Sequence, residues 1–108
     1  MAHERALLLY TTYINAFVAL EKNAALHCAA IASISTGNLR FPIDEAATIA
    51  MSAVRDMIRS RRWTKVLAFV CIDSALQREL ESAKAAIRST LFHGGFTYPD
   101  VITVIPPP

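Results

Sequence analysis

The chain is 108 residues long, 54% hydrophobic and 19% charged, with a formal net charge of +2. That length holds at most one ordinary domain. Eleven basic residues against nine acidic ones are too few for the electrostatic footprint of a nucleic-acid binder.

In chain order, "MAHERALLLYTTYINAFVAL" comes first. A charged start followed by an apolar stretch resembles a signal peptide, but Thr11, Thr12 and Asn15 interrupt the run, which is also too short to cross a bilayer. Leu7, Tyr10, Ile14, Phe17 and Val18 fall at helical spacing and predict a helix over 6–22, with Asn23 as its stop. The compartment expected on this reading is cytoplasmic or nuclear, without a membrane span. Next, "LHCAAIASI" over 26–34 is nearly continuous in apolar character, as strands of a parallel sheet buried on both faces are. Pro42 suits a first helical position, and Asp44 and Glu45 place negative charge in the first turn, where the helix dipole favours it. Ile43, Ala46, Ala47, Ala50, Ala53, Val54, Met57 and Ile58 trace one apolar stripe. Arg59, Arg61 and Arg62 close that helix, where cations suit the dipole.

"KVLAFVCI" over 65–72 is the strongest strand signal in the chain. Asp73 and Ser74 offer an N-cap, with Gln77 three residues past the serine as in a capping box. Leu76, Leu80, Ala83 and Ile87 then line a helix over about 74–89. The remainder, residues 91–108, is rich in Gly and Pro and holds one β-prone run, "VITVI", expected as an edge strand or an irregular appendage. Residues 1–90 thus read α-β-α-β-α. The fold class expected is α/β, a three-layer α/β/α fragment with a short, mainly parallel sheet and helices on both faces. Two strong strands are fewer than the usual four to six or so.

Chemistry-bearing residues are sparse. Cys28 and Cys71 lie inside apolar runs without CxxC spacing, which fits buried thiols in a reducing compartment. His3, His27 and His93 show no ligand spacing, so no metal is expected. No GxGxxG or GxxxxGK[ST] motif occurs. What remains is "SISTGNLRFP" over 33–42, at the carboxyl end of a predicted strand and ahead of a helix start, where open α/β sheets bind ligands. Gly37 permits close approach to the main chain, Ser35 and Thr36 add hydroxyls, and amides at the helix start favour an anion. On spacing alone the corner is either an ordinary capped turn or a phosphate cradle.

"IASISTGNLRFPIDEAATIAMSAV" resembles the macro domain. The second phosphate loop of that family reads apolar-Ser-Thr-Gly, a glycine and Phe-Pro, then a helix with paired alanines. Ile34, Ser35, Thr36, Gly37, Phe41, Pro42, Ala46 and Ala47 fit that frame. The resemblance covers residues 7–88 and implies the C-terminal half of the family's domain. It also implies ADP-ribose, free or on an ADP-ribosylated protein, as ligand, with no cofactor and no metal. The residues implied for the diphosphate and distal ribose are Ser35, Thr36, Gly37, Asn38, Leu39 and Arg40, and on the adenine side Ile72 and Asp73.

Leu39 stands where the family has an aromatic residue, Arg40 where it has glycine, and Ile72 where a Phe or Tyr stacks on adenine. The family's Gly-rich first loop, its Asn-Ala-Ala-Asn segment and its upstream Asp have no counterpart in the sequence, so recognition by the isolated chain is expected to be weak or absent. Two other readings stand beside it. One is an interaction module that self-associates or docks on a partner through an unpaired sheet edge. The other, ranked last, is an ADP-ribosyl ester hydrolase, with no catalytic residue assigned.

Overall fold

A computed structural model describes residues 2–32, 42–61, 66–71, 74–92 and 102–107. Its elements run α1 (Ala2–Glu21), β1 (Cys28–Ala32), α2 (Ile43–Arg61), β2 (Val66–Val70), α3 (Ser74–Phe92) and β3 (Ile102–Ile105). The strands form a parallel sheet in the order β1-β2-β3. The α/β class and the parallel sheet are those expected from the sequence, and the β-prone run of the tail is the third strand, at an edge.

α1 ends where Asn23 predicts. The Asn23 amide donates back to the Leu20 carbonyl at 3.1 Å, and the asparagine's own Oδ1 accepts from the Ala25 amide at 3.2 Å, an Asx turn that diverts the chain from the helix. The buried face of α1 differs from the predicted stripe. Leu9, Tyr13 and Phe17 are buried, whereas Leu7 is 60% exposed. The aromatic side chains explain the rotation: Tyr13 stacks on Phe17 at 5.8 Å between ring centroids and meets Phe69 of β2 at 6.4 Å, burying more apolar area than Leu7 could.

α2 is the middle of the helical layer and packs against both α1 and α3. Seven of its eight predicted stripe residues are buried, together with Met51, and Ile43 is partly covered. Four of the buried residues are alanines (46, 47, 50 and 53), which let neighbouring helices approach closely. α3 contributes Leu76, Leu80 and Ile87 to the same core.

The helices cover one face of the sheet, where the sequence suggested both. Along β2, Leu67 and Phe69 are fully buried while Val66 and Val70 are 42% and 38% exposed. β3 repeats this alternation, with Ile102 and Val104 in and Thr103 and Ile105 out. The cause is topological. Sequential parallel strands joined by right-handed crossovers that step in one direction put both crossover helices on the same side. α1 joins that side through Tyr13 and Phe69. Among the described residues no helix lies over the second face.

Candidate functional site

The site expected from the sequence lies where β1 and β2 run out and α2 and α3 begin. Ser35, Thr36, Gly37, Asn38, Leu39, Arg40, Ile72 and Asp73 all fall outside the described residues. Their frame is described. Ala32, Val70 and Ile105 share one row of the sheet, so all three strands end at the same level. The connection 33–41 leaves from the end of β1, and 71–73 from its immediate neighbour β2. The two segments that the resemblance assigns to one ligand therefore depart side by side from the carboxyl end of a parallel sheet, the ligand-binding end of such folds.

At the far side of the first connection, α2 starts without a break. The Ala46 amide donates to the Pro42 carbonyl at 2.9 Å, the first bond of the helix, and the Thr48 hydroxyl donates to the Asp44 carbonyl at 2.9 Å. The amides of residues 43–45 thus precede the intrahelical ladder and carry the positive end of the dipole. Asp44 and Glu45 are exposed in the same turn. They stabilise the helix start but oppose an incoming diphosphate, so specificity for an anion would fall on the preceding turn.

A surface depression opens beside the first turn of α2. A cleft of about 540 Å³ runs over the outer side of the helical layer, lined by Asp44, Glu45 and Glu79 with Thr48, Ser82 and Ile49 among its walls. Three carboxylates and no basic residue among its lining give it the wrong sign for phosphate. No cluster of His, Cys, Asp or Glu suited to a metal ion occurs among the described residues.

One polar group was not foreseen from the sequence. The Tyr10 hydroxyl of α1 donates to the Asp56 carboxylate of α2, 46 positions away, and Arg55 Nε donates to the other oxygen of that carboxylate at 3.1 Å. The bond to Asp56, helped by burial, pushes the Tyr10 phenol up to about 12, since its proton is held in the bond. No short-range signal announces such a pair, because the helical spacing that places Tyr10 says nothing of what faces it. It is a clasp between two helices, away from the strand ends.

A small parallel α/β unit whose strands end at one level of the sheet is the class these features define. Searches find no family model and no solved structure that match the chain. A curated macro domain-containing protein of Chlorobaculum tepidum is 35% identical over 88 residues, which are 79% of this chain and 47% of that protein. The match supports a macro-domain relationship, and the chain spans about half the length of the curated relative it matches. No described helix is long and apolar enough to cross a membrane.

Proposed function

We propose that this chain is a macro-like recognition module of the cytoplasm or nucleus whose Ser35–Arg40 turn grips the diphosphate of ADP-ribose, free or protein-linked. The observation that carries the reading is the 35% identity to a macro domain-containing protein across 79% of the chain. Supporting it, the Ser-Thr-Gly motif falls in the sequence between a parallel strand ending at Ala32 and a helix starting at Ile43. In that place backbone amides, with the dipole of α2 behind them, supply the anion contacts. Ile72 and Asp73 follow β2 at the neighbouring strand end and would border the adenine. The role proposed is binding. Hydrolysis is not part of the proposal, because no described group is placed as a general acid, base or nucleophile.

Isothermal titration of the purified chain with ADP-ribose tests it, with AMP and ribose 5-phosphate as controls. Saturable binding is expected, and Gly37→Val should weaken it by at least about tenfold, since a β-branched side chain blocks close approach to the main chain. No heat at millimolar ADP-ribose, or an unchanged dissociation constant in Gly37→Val, would remove this reading.

A further inference from the structure

The groove beside the first turn of α2 combines an apolar floor with charge of one sign. Ala6 of α1, Ile49 of α2 and Ala83 of α3 line it while packing against the core beneath. Asp44, Glu45 and Glu79 line it too, three of the nine acidic residues of a chain whose net charge is +2. Asp44 and Glu45 stand in the first turn of α2, where the dipole favours an acid. Glu79 has no such cause, since it lies beyond the first turn of α3. Among the described residues none of the three is in an ion pair, so the groove keeps a negative field that nothing local offsets.

We propose that this groove docks a short basic segment of a partner protein, with one apolar side chain between two basic ones. Charge complementarity selects the occupant, and the floor narrows it. Lys and Arg lay their methylene stems along apolar surface while their heads reach carboxylates. A metal ion would use the acids and leave the floor without a role, and an anionic partner would be repelled. Length agrees. Glu79 and Ala86, the first and last residues of α3 in the lining, are about 10 Å apart along the helix axis, the reach of about three extended residues. The volume, about 540 Å³, falls within the roughly 300–1,000 Å³ of pockets that hold ligands. The segment is bounded as well: the next depression along α2 and α3 carries Arg55, which repels a further cation. So small a contact is weak, with a dissociation constant on the order of 100 µM. The inference does not depend on the ligand reading.

Fluorescence anisotropy of a labelled Gly-Arg-Leu-Arg-Gly peptide, titrated with the full chain, tests it. A Gly-Glu-Leu-Glu-Gly peptide and spermidine serve as controls. Saturable binding of the basic peptide is expected, weakening at least about fivefold between roughly 0.02 and 0.3 M salt as screening grows. Glu79→Gln, which removes one charge and keeps the shape, should weaken binding at least about fivefold. Glu81→Gln removes the same charge from an exposed position of α3 outside the groove and should change the constant less than about twofold. Ala86→Leu adds volume to the lining without altering charge and should also weaken binding at least about fivefold. No saturable binding up to about 1 mM, equal binding of the acidic peptide, equal losses in Glu79→Gln and Glu81→Gln, an unaltered constant in Ala86→Leu, or tighter binding of spermidine than of the basic peptide would each overturn the proposal.

Discussion

The two faces of the sheet are made from the same three strands, yet they obey different rules. On the covered face, the rows Ala29–Leu67–Ile102 and Ile31–Phe69–Val104 meet the helices, and Leu67 and Phe69 are fully buried. On the other face, the rows around Ala68 and Val70 are apolar in composition but partly wet. The difference teaches that apolar content does not by itself locate a core. What locates it here is the direction in which the crossovers step, which gathers α2 and α3 on one side, with α1 docked there through Tyr13.

The largest test sets adjacent residues against each other. Phe69→Ala removes a buried ring that touches Tyr13 and leaves a cavity between sheet and helices, so it should cost about 3–5 kcal/mol of unfolding free energy. Val70→Ala, one position along and 38% exposed, should cost less than about 1 kcal/mol. Urea denaturation measures both. Equal losses would mean that the second face is as tightly covered as the first.

A smaller effect sharpens the comparison through added volume. Ala47 is fully buried in the middle of the helical layer, and Ala47→Leu should cost about 1–3 kcal/mol by overpacking. Ala30 is exposed on the open face. Ala30→Leu should leave thermal unfolding within about 0.5 kcal/mol of the native chain. A severe loss of stability in Ala30→Leu would show that another part of the chain already packs on that face.

Much of this fold was legible in the sequence because it follows from periodicity. The α2 stripe is laid out by residues at spacings of three and four, and β2 by a run of Val, Leu, Phe and Ile. The rotation of α1 was not legible, because Leu7 and Tyr13 are both apolar enough for either face, and only the distant Phe69 decides between them. Nor was the one-sided sheet. An apolar run such as "CAAIA" reads the same whether both faces are buried or one is bare, and its alternation appears only once α2 and α3 have taken their side. For the candidate site, the glycine corner was legible as a motif, and the structure adds the frame on which residues 33–41 and 72–73 hang. The Tyr10–Asp56 clasp joins positions too far apart for any local pattern to mark.

That clasp supplies the smallest effect and a pH dependence of its own. Tyr10→Phe removes one partly exposed hydrogen bond and leaves Asp56 still beside Arg55, so a loss of about 0.5–1.5 kcal/mol is expected near neutrality, toward the lower end because water screens the pair. The sign with pH follows from the phenol. Its proton is held to about 12 in the folded chain against 10.0 for the free group. The clasp is therefore fully present below about pH 10, and as pH rises from 10 toward 12 the unfolded chain releases the proton first, drawing the equilibrium toward unfolding. The difference in unfolding free energy between the native chain and Tyr10→Phe should be constant from pH 7 to about 9.5 and then shrink through that window. Every other group is common to both proteins and cancels in the difference. A difference that stays flat through pH 11.5 or so, or one that grows, would mean that Tyr10 does not hold its proton on Asp56 and that α1 is fastened to the covered face by its aromatic contacts alone.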